Sequence, residues 1–122
     1  MSETKKGSLF LVSTPIGNLS DLSKRAVETL EAADLIACED TRRTGQLLKF
    51  IGVENKKLIR VDEHTEFKSR SQIVENIKNG LTVALVSDAG TPGISDPGEE
   101  LVKTVIENNC NVSVIPGASS VI

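Results

Sequence analysis

The chain is 122 residues long, enough for one domain with a single core. Apolar residues make up 39% and charged residues 25%, the balance of a folded globular protein, which argues against disorder. A net charge of -3 and an aromatic content of 2%, with no Trp or Tyr, argue against a module that grips a phosphate backbone by overall basicity or stacks many bases on exposed rings. Any grip on nucleic acid must then come from a local patch, from a second subunit or from another part of the protein.

Residues 1–8 read as a flexible, polar N-terminus without the apolar core of a signal peptide. No apolar run approaches the length of a membrane span. Cys38 and Cys110 show neither a disulfide framework nor metal-ligand spacing, so the expectation is a soluble protein of the reducing cytoplasm, without a metal site.

From Leu9 onward, β-rich runs alternate with stretches of helical spacing. Leu9–Ser13 is the first strand, followed by the turn Ser13-Thr14-Pro15-Ile16-Gly17-Asn18. This turn lacks the G-x-G-x-x-G of dinucleotide folds; Gly17 permits close backbone approach and Pro15 stiffens the loop. It reads either as a tight strand-to-helix connection or as a ligand contact. A helix carrying Ala26, Val27, Leu30 and Ala33 leads to the second strand, Leu35–Cys38, and then to Glu39-Asp40-Thr41-Arg42-Arg43-Thr44. Adjacent carboxylates at a strand end can hold ribose hydroxyls, and Asp40 or Thr41 can cap the next helix. A cap explains one of these residues but not a cluster that includes Arg42 and Arg43.

The second helix carries Leu47, Leu48 and Ile51 and stops at Gly52; the third strand is Lys57–Val61. After it comes Asp62-Glu63-His64-Thr65-Glu66, with the only histidine of the chain and Thr65 as a helix cap. His64 reads either as a packing residue or, by its strand-end position, as a substrate contact. The third helix carries Phe67, Ile73, Val74 and Ile77 up to Gly80, and the fourth strand is Thr82–Ser87. The loop that follows, from Asp88 through Gly90, Thr91, Pro92, Gly93 and Ile94 to Asp96, is the strongest local signal: glycines admit a ligand to the backbone and prolines preset the loop's shape. Asp96-Pro97 with Glu99 forms a capping-box start for the fourth helix, whose buried stripe is Leu101, Val102, Val105 and Ile106. Asn111–Ile115 is the fifth strand, and Pro116-Gly117-Ala118-Ser119-Ser120 sets small side chains and hydroxyls against the same crevice.

Strand–helix alternation implies an α/β domain of three layers, a parallel sheet covered on both faces. The first, second and fourth strands are nearly continuous in apolar residues, as burial on both sides requires. Ligands of such sheets bind at the carboxyl ends of the strands. No P-loop lysine, zinc pattern or nucleophile elbow is present, so phosphoryl transfer and serine hydrolysis have no support.

Four motifs occur in register: Thr14-Pro15-Ile16-Gly17-Asn18-Leu19, Glu39-Asp40-Thr41-Arg42, Ser87-Asp88-Ala89-Gly90-Thr91-Pro92 with Asp96-Pro97-Gly98, and Pro116-Gly117-Ala118-Ser119-Ser120. Together they resemble the ribosomal RNA small-subunit methyltransferase I family, within the tetrapyrrole methylase superfamily, from about Leu9 to Ile122. The resemblance implies a five-stranded parallel sheet of order 3-2-4-1-5 and S-adenosyl-L-methionine bound between two domains. It also implies a homodimer and 2′-O-methylation of a cytidine ribose in the decoding region of 16S rRNA, in the small ribosomal subunit. On this reading residues 9–122 are the N-terminal, cofactor-binding domain, and the chain is a piece of a longer protein, inactive without its second domain.

By motif position Ile16, Thr91, Ile94, Ser119 and Ser120 match cofactor contacts of the superfamily, joined by Pro15, Gly17, Asp88 and Gly90 from the same loops. Thr91 stands where many tetrapyrrole methylases carry Asp in a Gly-Asp-Pro loop. Asp40, Arg42, His64 and Asp88 are the candidate catalytic residues: Asp40 and Arg42 to position the ribose and its phosphate, and Asp40, Asp88 or His64 as base, ahead of Glu39. Two other readings stay open, methylation of a tetrapyrrole carbon on the same scaffold and a non-catalytic nucleotide-binding module.

Overall fold

A strand whose every residue is apolar is satisfied only when both of its faces are covered. Leu9, Phe10, Leu11 and Val12 are such a run, and in the computed structural model, which describes residues 7–14, 22–61, 66–88 and 96–115, they form the middle of β1 (Ser8–Thr14). The chain continues through α1 (Lys24–Ala32), β2 (Leu35–Cys38), α2 (Thr41–Phe50), β3 (Lys57–Arg60), α3 (Glu66–Lys78), β4 (Thr82–Asp88), α4 (Asp96–Glu107) and β5 (Asn111–Ile115). The five strands form one sheet in the order β3-β2-β4-β1-β5, every pairing parallel. The expected alternation and strand order both hold. β1 starts one residue before the expected Leu9, and β4 ends one residue after the expected Ser87. β3 stops at Arg60, one residue short, although the Val61 amide still donates to the Cys38 carbonyl at 2.8 Å.

Side chains alternate across a strand, so parity decides which core each residue joins. Leu9, Leu35, Ala37, Val83 and Leu85 pack with Ile73, Val74 and Ile77 of α3 and Leu101 and Val105 of α4. Val12, Ile36, Ala84 and Ile115 point to the opposite side and pack with Ala26 and Leu30 of α1 and Leu47 and Leu48 of α2. The result is helix, sheet, helix. β2 is buried at all four positions, whereas the edge strands β3 and β5 expose residues along their length. The sheet therefore explains why the first, second and fourth strands are the most apolar in sequence: they are its three inner strands.

The helix ends are closed by local polar groups. The Ser23 hydroxyl caps α1 by accepting from the Ala26 amide at 3.1 Å. At the other end the Lys56 ammonium donates to the Glu31 and Ala33 carbonyls at 2.6 and 2.8 Å. Gly52 and Gly80, the expected stops of the second and third helices, take left-handed φ values of 80° and 95°. The expected cap Thr65 lies outside the described residues, as do the side chains of residues 96–99 on which the capping box rests.

Gly7 sits where β1 enters the sheet, its amide donating to the Ile77 carbonyl at 2.8 Å. A Cβ there would lie 1.7 Å from the Leu81 carbonyl oxygen, a backbone atom with little room to yield. Gly45, inside α2, has nothing within 4 Å of the same position. Gly7→Ala is expected to destabilise the protein by about 1–3 kcal/mol through overpacking. Gly45→Ala should stabilise it by up to about 1 kcal/mol through helix propensity. Urea unfolding midpoints of the two variants are the check; midpoints moving in the same direction would contradict the assignment.

Candidate functional site

Right-handed crossovers place the helix of a leftward connection on one face of a parallel sheet and that of a rightward connection on the other. Here α1 and α2 carry the chain toward β3, and α3 and α4 carry it back toward β5. Outgoing connections therefore diverge to opposite faces at each neighbouring pair, β3 with β2, β2 with β4, and β4 with β1. Divergence of this kind opens crevices at the carboxyl edge, where ligands of such sheets bind.

The described residues include the ends of both strands at the β2–β3 crevice. Glu39, Asp40, Thr41, Arg42 and Arg60 line an open depression of about 490 Å³. Cys38 and Arg60 are paired in register, so the end of β3 brings its guanidinium beside the turn that leaves β2. The buried Ser69 hydroxyl of α3 donates to the Arg60 carbonyl at 2.9 Å and secures this wall. Two carboxylates and two guanidiniums face one opening. Carboxylates accept from ribose hydroxyls, and a guanidinium fork matches a phosphate.

Asp40 settles the capping alternative. It is the N-cap of α2, its Oδ1 accepting from the Arg43 amide at 3.0 Å, and Thr41 is the first helical residue. The carboxylate nevertheless remains exposed at the mouth of the depression. Beneath it, Cys38 and Thr44 are buried. Burial pushes the Cys38 thiol up, a hydrogen bond with Thr44 opposes this, and the Asp40 charge adds to the rise. The thiol stays protonated at neutral pH and is core rather than nucleophile.

The structure brings Asp40 and Arg42 together and adds Arg60, which no local motif marks; only the β2–β3 register reveals it. Asp88 ends β4 in register with Thr14, so the last residues of β1 and β4 lie side by side at the carboxyl edge. Pro15, Ile16, Gly17, His64, Gly90, Thr91, Ile94, Ser119 and Ser120 lie outside the described residues. Among the described residues, no cluster of three or more His, Cys, Asp or Glu is placed to hold a metal, and no helix is long and apolar enough to cross a membrane.

Comparison with known proteins supplies independent findings. The family described as Tetrapyrrole (Corrin/Porphyrin) Methylases matches residues 8–122. A protein of Synechocystis sp. named "Ribosomal RNA small subunit methyltransferase I" is 50% identical over 95% of this chain and 41% of its own length. Its namesake in Escherichia coli O157:H7 is 45% identical over 99% of this chain and 42% of its own. The chain spans less than half the length of these curated relatives. Among solved structures, uroporphyrin-III C-methyltransferase from Thermus thermophilus complexed with S-adenyl homocysteine superposes with a TM-score of 0.65 at 18% identity, covering 93% of this chain and 46% of that one. Diphthine synthase superposes with a TM-score of 0.69 at 19% identity, covering 93% and 45%. At that identity the likeness shows a shared fold.

The two parts played by Asp40 are separable by substitution. Asp40→Asn keeps a good N-cap without the charge, whereas Asp40→Ala removes both and is expected to cost about 1 kcal/mol. Thermal or urea unfolding should place the Asn variant close to the parent and the Ala variant clearly below it. Equal destabilisation of the two would show that the cap does not stabilise α2.

Proposed function

This chain belongs to the tetrapyrrole (corrin/porphyrin) methylase family, and from that premise we propose that it is the N-terminal, cofactor-binding half of a ribosomal RNA methyltransferase. The reaction is transfer of the methyl group of S-adenosyl-L-methionine to the 2′-oxygen of a cytidine ribose in the decoding region of 16S rRNA. The observation that carries this reading is the identity, 45–50% across nearly the whole chain, to proteins named ribosomal RNA small subunit methyltransferase I. The Asp40–Arg42–Arg60 depression gives that name a physical counterpart. The same resemblance supports a cytoplasmic homodimer whose second domain completes the cofactor site.

The described part of the sheet fits such a cofactor. Thr14 and Asp88 end neighbouring strands, and their connections carry Pro15, Ile16 and Gly17 on one side and Gly90, Thr91 and Ile94 on the other. Glycine-bearing loops at adjacent carboxyl ends suit a nucleoside that needs backbone contact. With Ser119 and Ser120 beyond β5, these residues and Asp88 would hold it. Bound there, S-adenosyl-L-methionine supplies a methyl group on a sulfonium, which needs no metal to leave.

The chain's own residues then meet two demands. Asp40 accepts from a ribose hydroxyl while Arg42 and Arg60 receive the neighbouring phosphate, so the 2′-oxygen is held in line for attack. The 2′-hydroxyl is a weak acid and must surrender its proton to a base, for which Asp40, Asp88 and His64 are the candidates. Separate pH–rate profiles of Asp40→Asn, Asp88→Asn and His64→Gln identify it by which variant loses the limb that reports the base.

In the full-length enzyme, Asp40→Asn is expected to lower methyl transfer to small ribosomal subunits by about 100-fold with cofactor affinity retained. Unchanged turnover would remove Asp40 from the site, and transfer to a porphyrinogen instead of RNA would move the protein to the tetrapyrrole branch. Calorimetric titration of S-adenosyl-L-methionine should show tight binding by the full-length protein and much weaker binding by this chain alone. Equal binding would place the whole cofactor site on this domain, and no binding by either would end the methyltransferase reading.

A further inference from the structure

The net charge of -3 conceals a strong segregation. Residues 41–60 hold six of the fourteen basic residues (Arg42, Arg43, Lys49, Lys56, Lys57 and Arg60) and only one of the seventeen acidic ones, Glu54. That segment carries +5, and the other 102 residues carry -8. It folds as one unit, α2 followed by β3, at the end of the sheet where β3 is the outermost strand.

Its cations are differently employed. Lys56 is occupied by the carbonyls that end α1. Arg42, Gln46 and Lys49 are exposed and follow i, i+4, i+7 spacing, one stripe along the outward face of α2. Arg42 and Lys49 thus stand roughly 10 Å apart along the helix axis. Lys57 is exposed on the edge strand and, in register with Leu35, projects to the α3/α4 side of the sheet, so the surface turns around the free β3 edge between Lys49 and Lys57. Phe50, directly after Lys49, leaves 60% of its surface in solvent, the most exposed of the described aromatic side chains. The stripe begins at Arg42, which also lines the Asp40 depression, so the basic face and the candidate site are continuous.

We propose that the outward face of α2 and the edge strand β3 form the surface along which the RNA strand lies, its phosphates on Arg42, Lys49 and Lys57 and one unstacked base against Phe50. The proposal rests on the RNA reading above and adds where and how the strand is held. Cations in a row match a polyanion with regularly spaced charges, and an exposed ring beside them suits single-stranded RNA, whose bases are free to stack. A porphyrinogen, small enough to sit wholly within a crevice, would leave Lys49, Phe50 and Lys57 without a role.

The test uses the full-length protein with Lys49→Gln/Lys57→Gln, Phe50→Ala and, as control, Lys78→Gln/Lys103→Gln, exposed positions on α3 and α4. RNA affinity is read by filter binding across a salt series, alongside kcat, KM and calorimetric cofactor affinity. Loss of two phosphate contacts should lower the salt slope by about 1.4 and weaken binding roughly tenfold near physiological salt, raising KM with kcat and cofactor affinity intact. Phe50→Ala should weaken binding about tenfold at an unchanged slope, and the control should match the parent. If the parent methylates RNA and the double variant binds with the parent's affinity and slope, the surface is wrong and the functional reading stands. If the parent binds RNA but transfers no methyl group while the double variant weakens, the surface stands and the functional reading falls. A parent that binds no RNA overturns both, and a change of molecular mass in light scattering on substitution overturns the surface by assigning it to contact between copies.

Discussion

Parallel strands cannot be joined by a tight turn; each return needs a crossover that travels the length of the sheet and packs on one of its faces. In this chain that constraint governs nearly everything else. Connections running one way put α1 and α2 on one face, and those running back put α3 and α4 on the other, so both faces of β1, β2 and β4 are sealed. The sealing allows runs such as Leu9–Val12 and Leu35–Cys38 to be apolar throughout, and the same divergence of helices opens crevices at the carboxyl edge. Stability and site placement share one geometric cause.

Asp40 shows that sharing at a single residue. It follows a fully buried strand, caps the helix that leads away, and keeps its carboxylate exposed at the rim of the depression. Below it, Cys38 and Thr44 are buried where the strand passes into the helix. A side chain that closes a helix is locally fixed by that hydrogen bond, so little rotational freedom remains to be lost when it meets a ligand. Arg60 is fixed differently, by the strand register and by Ser69 holding its carbonyl, so the depression is built from two strands and braced by a helix from each layer. Its far wall thus depends on contacts that cross from one layer to the other.

Composition alone conceals how the charge is distributed. A slightly acidic chain with few aromatic residues reads poorly as an RNA-contacting module, yet its basic residues concentrate on α2 and β3 and one of its three Phe side chains is exposed among them. Average charge bears on solubility and long-range repulsion, whereas recognition depends on the local field. Lys56 adds a qualification: a cation counted in sequence is withdrawn from that field once it closes a helix.

The sequence by itself determined the elements. Apolar continuity marked the inner strands, Gly52 and Gly80 marked helix ends, and the loops after the strands were recognisable because turn residues and charged clusters are local signals. The order of the strands was legible only through family resemblance, since no local pattern says which strand lies beside which. Tertiary structure alone decided that Asp40 rather than Thr41 caps α2, that Arg60 joins Asp40 and Arg42, and that Lys56 is structural while Lys49 and Lys57 are exposed. The reason is one of range. Backbone propensity and side-chain parity act over a few residues and are written along the chain, whereas a site is made by register between strands that are distant in sequence, and register exists only once the sheet has formed.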